Sequence, residues 1–302
     1  SVLTDVEAVP ESILFWRAFT HFLGGIGIVV LFIAVLPYLG AGGKQLFKSE
    51  SPGPDPRGLR PRIKASAILL FKIYLGLTLL LTLALMAAGM SLFDALCHSF
   101  STLATGGFST RNASVAGYDS ALIETIIIVF MIAAGTNFGI YVYIHNRQWL
   151  NVIRDSELRV YLLVLAVAIA AITLNLAGVY GAPERPHFRE TTGEAVAVPE
   201  YGIIDGFRAA TFSVVSVMTS TGFATDNYDE WPHFSRMLLS VIMFVGGCAG
   251  STAGGLKVVR VLMLARMVGQ RVESTFRPKT VRALRISGQV VDEGVQKTVL
   301  AF

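Results

Sequence analysis

Two short segments carry residue types that could handle a desolvated ion: Thr105-Gly106-Gly107-Phe108 and Ser220-Thr221-Gly222-Phe223. What they offer is backbone. Glycine visits dihedral angles that a Cβ penalises, so such a turn can hold its peptide carbonyls in an extended, inward-facing run. Several runs around one axis can replace the hydration shell of a cation. A third segment, GGCAGSTAGGLK, holds Gly246, Gly247, Gly250, Ser251, Thr252, Gly254, Gly255 and Lys257. Its glycines at 246, 250 and 254 have the spacing of a close helix-packing face. Yet each glycine costs a helix interior about 1 kcal/mol relative to alanine, so we expect a break in the helix here. On the inner side of the turns, a mobile loop would obstruct an ion path, which makes this segment a candidate gate. It is no Walker A loop, because Lys257 has neither a preceding Gly nor a following Ser or Thr.

One Gly-Phe turn would be an ordinary tight turn between helices. Its repetition changes the reading. DALCHSFSTLATGGFST (94–110) aligns without gaps on AATFSVVSVMTSTGFAT (209–225), pairing Ala95 with Ala210, Ser101 with Ser216, Gly107 with Gly222, Phe108 with Phe223 and Thr110 with Thr225. The unit is a crossing, a short helix, a Gly-Phe turn and another crossing. Pro10 stands as far before Gly24-Gly25 as Pro232 does before Gly246-Gly247, so the first 25 residues match the part of a unit that follows its turn. The final TVLAF reads as the opening of another unit. With no charged leader ahead of an apolar core at Ser1 and an apolar run that stops at Phe302, we expect both ends to be cut.

The elements that must position these turns are apolar. Of 302 residues, 53% are hydrophobic and only 15% charged, well below the roughly 25% of a soluble domain. Crossings are expected at about 13–37, 65–89, 121–144, 160–180 and from Met237 onward, with Lys72 inside the second snorkelling or facing protein. Residues 91–105 and 203–220 are helical in pattern but too short for the ~20 residues that a span needs, so both are expected to be re-entrant. Asp94 falls in the first turn of the first of them, where the helix dipole favours an anion. Each short helix then points its negative end at its turn, which favours a cation. Asp226, Asp229 and Glu230 stand beside the second turn and would concentrate cations there. Asn137 in AGTNF is read as a packing or hydrogen-bonding residue within a crossing, His98 as packing, Cys97 and Cys248 as small buried residues, and Asn112-Ala113-Ser114 as a chance sequon.

Charge orients the chain. Loops 40–64, 145–159 and 266–285 carry fifteen Lys/Arg, against four in 1–12, 106–119, 181–205 and 224–236. The positive-inside rule puts the first set in the cytoplasm, so the turns approach from outside. Lys and Arg are not interleaved with aromatics in any tract, which speaks against nucleic acid as a partner.

These residues resemble the Trk/Ktr/HKT superfamily of cation transporters, and within it the membrane subunit of bacterial Trk potassium uptake. SVLTDVEAVPESILFWRAFTHFLGGIGI is similar to the segment after a first filter, TLATGGFST to a second filter, TSTGFATDNYDEWP to a third, and GGCAGSTAGGLKVVR to an intramembrane loop. The resemblance implies an all-α membrane protein of tandem M1–pore helix–M2 repeats, potassium-channel-like, around a central pore. It divides the chain into the end of repeat 1 (1–40), a cytoplasmic loop (41–64), repeat 2 (65–146), a loop (147–159), repeat 3 (160–270), and a linker with the start of repeat 4 (271–302). It implies K⁺ uptake through backbone carbonyls of 105–108 and 220–223, with the Gly246–Lys257 loop as gate. It further implies a homodimer in the bacterial cytoplasmic membrane and a cytosolic nucleotide-binding regulatory subunit. Nucleotide would act only through that partner, and no cofactor is bound covalently.

Two other classes stay in view. A Na⁺- or H⁺-coupled symporter, or a Na⁺-permeable member of the same superfamily, would also use broken helices at the midplane. A membrane enzyme would need a His-Glu-x-x-His, a Gly-x-Ser-x-Gly elbow or paired intramembrane aspartates, which the sequence lacks, so no catalytic residues are expected.

Overall fold

Long apolar runs bounded by capping residues become helices here. The computed structural model describes residues 3, 5–27, 63–179, 187–188, 195–196, 201–276, 285–286 and 289–290. The second half of the expected first crossing, the Pro-rich loop up to residue 62, and most of 180–200 and 277–302 lie outside the described residues. Helix α1 (Glu11–Ile26) follows Pro10, and α2 (Ile63–Ala87) is the longest of the described elements. Then come α3 (Leu92–Leu103), a 3-10 segment (Ser114–Tyr118), α4 (Ala121–Gly135), α5 (Phe138–His145), α6 (Trp149–Arg154) and α7 (Ser156–Leu176). The last helices are α8 (Ile203–Met218), α9 (His233–Phe244) and α10 (Val258–Phe276). The described strands are two antiparallel two-residue pairs, His187–Phe188 with Ala195–Val196 and Arg285–Ile286 with Gln289–Val290.

Among the described residues, two helices are long and apolar enough to cross a membrane, Ala67–Ala87 and Ser156–Leu176. Their packing is that of helices in lipid. In α2 the buried seam is Tyr74, Thr78, Leu81, Thr82 and Leu85, while the exposed face carries Phe71, Leu75, Leu79 and Leu83. A helix apolar all round belongs in hydrocarbon or in a deep core. Thr78 and Thr82 return their hydroxyls to the carbonyls of Tyr74 and Thr78, which satisfies both polar groups inside the helix. Lys72 lies on the exposed face. The α7 helix starts before its apolar run, at Ser156, because Asp155 caps it by accepting the Leu158 N–H at 2.7 Å.

The third crossing is not one straight helix. The pair α4 and α5 is bent by 96° at Gly135-Thr136-Asn137, where sequence patterning suggests an unbroken span over 121–144. Thr136 has an extended backbone, and Asn137 caps the new helix by accepting the Gly139 N–H at 2.7 Å. An asparagine that caps a new helix also ends the old one. Hydropathy does not register this, since both halves are apolar.

Units pack in sequence order. The aromatic face of α1 (Phe15, Phe19, Phe22) closes on Phe100 of α3. Glu124 of α4 takes a bidentate bond from Arg208 of α8, at 2.6 and 2.8 Å. Asn112 and Ser114, read as a chance sequon, are joints between units. Asn112 accepts the Val6 N–H and donates to Asp5, whose carboxyl this bond holds below its ordinary range. Ser114 accepts the Ala224 N–H, and the Ala224 carbonyl accepts from Ala116.

Candidate functional site

Each short helix passes into its turn by the same hydrogen bonds, displaced by 115 residues. Gly106 N–H donates to the Ser101 carbonyl at 2.7 Å, and Thr221 N–H to the Ser216 carbonyl at 2.9 Å. Thr105 N–H reaches Thr102, and Ser220 N–H reaches Val217. The sequence repeat is therefore a backbone repeat.

Beyond that point both segments alternate in handedness. Thr105 has φ +52° and Gly107 +69°, while Ser220 has φ +55° and Gly222 +82°. In a strand, successive carbonyls face opposite sides. Left-handed residues at every second position cancel that alternation, so neighbouring peptide groups can face the same way. Two of the four left-handed positions are not glycine, and each has a compensating hydroxyl. Thr105 Oγ1 donates to the Ala104 carbonyl at 2.7 Å, and Ser220 Oγ to the Thr219 carbonyl at 2.6 Å.

The carbonyls of Thr105, Gly106, Gly107, Ser220, Thr221 and Gly222 accept no hydrogen bond from the described residues. Such a row of unsatisfied oxygens is costly unless something outside the chain pairs with it. The two turns also touch. A Cβ on Gly107 would overlap the Thr221 carbonyl, whereas one on Gly222 would meet nothing within 4 Å. Phe108 and Phe223 end the runs by packing. Phe108 packs on the His21 ring, 4.0 Å between centroids, and on the Arg17 guanidinium, 3.7 Å from its centroid. Phe223 is buried beside His98, and its carbonyl accepts from Ser216 Oγ at 2.7 Å. His98 is fully buried, bound to the Asp94 carbonyl and to Ser109 Oγ.

Beyond Phe223 the second turn runs into a clamp. Tyr201 Oη donates to Asp226, and the buried Trp231 Nε1 donates to both Tyr201 Oη and Asp226, at 3.1 and 3.2 Å. Burial, then the Asp226 carboxylate, push the Tyr201 hydroxyl above its ordinary range, so it stays a donor. Asp226 is therefore engaged in structure as well as adding negative charge near the turn. At the first turn Thr110 Oγ1 donates to Asp94, at 2.6 Å.

The glycine-rich segment is a loop between α9 and α10, and it lies against both turns. Its limbs leave and return side by side. Gly246 N–H donates to the Leu256 carbonyl at 2.9 Å, Leu256 N–H to Phe244 at 3.1 Å, and Val258 N–H to Gly247 at 3.2 Å. The limbs come so close that a Cβ on Gly246 would overlap the Gly254 carbonyl, while Gly250 and Gly255 take left-handed angles at the bends. The tip reaches the turns. The single Thr105 hydroxyl proton is shared between the Ala104 and Thr252 carbonyls, at 2.7 and 2.9 Å, and Gly254 N–H donates to Ser220 Oγ at 2.6 Å. Thr252 Oγ1 donates to the Leu103 carbonyl, Ser251 Oγ to Cys248, and Lys257 Nζ to Ala253 within the loop.

The bend in the third crossing is the dock for this loop. Cys248 N–H donates to the Gly135 carbonyl at 2.9 Å, Phe138 N–H to Gly250 at 3.1 Å, and Gly250 rests on the Asn137 amide. Breaking α4 frees the Gly135 carbonyl and the Phe138 N–H that the loop then uses. Sequence reading gave Asn137 a packing or hydrogen-bonding role within a crossing but missed the break. Its signal was Thr-Asn after Gly, a stop followed by a cap. Also missed was Glu157, whose Oε1 accepts from Ala249 and Val259.

The chain is similar to known proteins along its whole length. The family model for TrkH, described as cation transport protein, matches residues 1–302. The Trk system potassium uptake protein TrkH of Salmonella typhimurium is 38% identical over 304 residues, covering all of this chain and 59% of that protein. TrkG of Escherichia coli, also named a Trk system potassium uptake protein, is 32% identical over 305 residues with the same coverage. The crystal structure of the potassium transporter TrkH from Vibrio parahaemolyticus superposes with a TM-score of 0.79 at 32% identity, covering the whole chain and 58% of its own. The chain thus spans about three fifths of the length of these relatives.

Proposed function

The chain belongs to the TrkH family of cation transport proteins and is an all-α membrane protein of that family; from this we propose that it is part of a potassium-uptake subunit, with Thr105–Phe108 and Ser220–Phe223 as two parts of one carbonyl-lined filter. The observation that carries this is the pair of touching turns with six backbone oxygens that no described residue pairs with. A dehydrated monovalent cation fits such a site, because it needs oxygen dipoles and no compensating charge. The helices α3 and α8 end at the turns, so their negative ends add to the same attraction. Potassium as the cation follows the relatives, which are potassium uptake proteins by name.

The Gly246–Lys257 loop is the proposed gate. It bonds to both turns, through Thr252 and Gly254, from the side that leads into the bend of the third crossing. Passage then requires the loop tip to shift. The uneven spread of Lys and Arg supports a bacterial cytoplasmic membrane orientation with the turns facing outward. A homodimer and a cytosolic nucleotide-binding regulator complete the proposal. Both rest on the resemblance, and co-purification of the full-length protein with the regulator tests them.

The direct test replaces Gly222 with Ser in the full-length protein and measures Rb⁺ and Na⁺ uptake. Gly222 has open space around it and a left-handed φ, so the side chain fits only by turning the backbone. We expect the Rb⁺/Na⁺ uptake ratio to fall about tenfold, the change that ~1.4 kcal/mol of lost preference produces. An unchanged ratio with normal membrane levels would sink the assignment.

A further inference from the structure

Glu157 is a carboxylate in the first turn of α7 that is only 7% exposed. Buried carboxylates survive where donors compensate for lost water. Its Oε1 accepts the Ala249 N–H at 2.6 Å and the Val259 N–H at 3.2 Å. These donors lie 92 and 102 residues further along the chain, on opposite flanks of the glycine loop. Ala249 is on the limb that leaves α9, whereas Val259 is in the first turn of α10, where helix N–H groups have no partner inside their own helix. The positive ends of α7 and α10 meet at this one oxygen.

We propose that Glu157 is the tether that holds the loop in the ion path, as a positioning residue for gating. The proposal rests on reading 105–108 and 220–223 as the filter. The loop tip bonds to the turns through hydroxyl and peptide groups, which are neutral. Its base bonds to a carboxylate, and charge-assisted hydrogen bonds are about twice as strong as neutral ones. Between Ala249 and Val259 the chain includes Ser251, Thr252 and Gly254, so fixing both flanks fixes the obstructing tip. Displacing that tip strains or breaks the bonds to Glu157. Whatever opens the gate works against this contact, and weakening it shifts the closed–open balance toward open.

The test uses the full-length protein in vesicles without its regulator, comparing wild type, Glu157→Gln and Glu157→Ala. Basal Rb⁺ uptake should rise about tenfold in Glu157→Ala, the scale of losing a bond to a charged group. Glu157→Gln keeps an acceptor but not the charge and should give a smaller rise, about threefold. The Rb⁺/Na⁺ ratio should stay at its wild-type value in both, because the filter is untouched. A side chain needed only for folding would instead lower uptake and selectivity together, and that result overturns the proposal. So does Glu157→Ala uptake equal to wild type at equal membrane levels. Should Glu157→Ala not fold, Glu157→Gln decides by amide hydrogen exchange: faster exchange across 246–259 with 105–108 unchanged is expected, and unchanged exchange across 246–259 overturns the tether. Exchange does not depend on transport, so a failed filter assignment would show as an unchanged Rb⁺/Na⁺ ratio in Gly222→Ser while the tether is still read.

Discussion

Gly107 and Gly222 occupy matching positions in the sequence repeat and share the left-handed backbone, yet they differ in the room around them. At Gly222 an added methyl meets open space, so Gly222→Ala costs the conformational penalty alone, about 1 kcal/mol. At Gly107 the methyl would also overlap the Thr221 carbonyl, and backbone cannot rotate away as a side chain can. Gly107→Ala should therefore destabilise the protein by about 3 kcal/mol, the scale of other overpacked sites. Thermal unfolding of the two full-length variants checks the order, and equal shifts would mean the turns do not touch. Sequence inspection identified these glycines because only glycine tolerates such angles without help. It could not identify Thr105 and Ser220 as left-handed too, because their compensation is a hydroxyl bonded to the preceding carbonyl, which looks in sequence like any polar residue after a helix.

At the scale of elements, length and apolarity identified α2 and α7, and the sub-length patterns identified α3 and α8. The bend between α4 and α5 escaped because both halves are apolar and its only local mark is Thr-Asn after Gly, while the contact that holds it, Phe138 N–H to the Gly250 carbonyl, spans 112 residues of sequence. The joint between α4 and α8 was equally hidden, since Glu124 and Arg208 sit in unrelated stretches. Its geometry is lopsided: the Glu124 side chain is 6% exposed and Arg208 is 42% exposed. Removing Arg208 strands a buried carboxylate, whereas neutralising Glu124 leaves an arginine that water can reach. Arg208→Ala should thus cost about 2 kcal/mol, below the ~3–5 of a fully buried pair, and Glu124→Gln under about 1 kcal/mol. Denaturation of both variants in detergent reads the difference, and the reverse order would mean that Glu124 is hydrated in solution.

Across the whole molecule, the repeat brings two turns into contact and the loop fastens them from one side. This arrangement sets what the 302 residues can do alone. A cation stripped of water needs oxygens on all sides, and two touching turns cover only part of that shell. The relatives are longer, with this chain spanning 59% of the Salmonella protein. The ring we propose is therefore closed by further turns of the full-length protein. Residues 1–302, reconstituted by themselves, should give no K⁺-selective current, while the full-length protein in the same vesicles should. Circular dichroism on the same samples must show helix in both, so that a silent fragment is a folded one. K⁺-selective current from the fragment would mean that two turns suffice, and the unpaired carbonyls of 105–107 and 220–222 would then have to enclose the ion by pairing between copies of the chain.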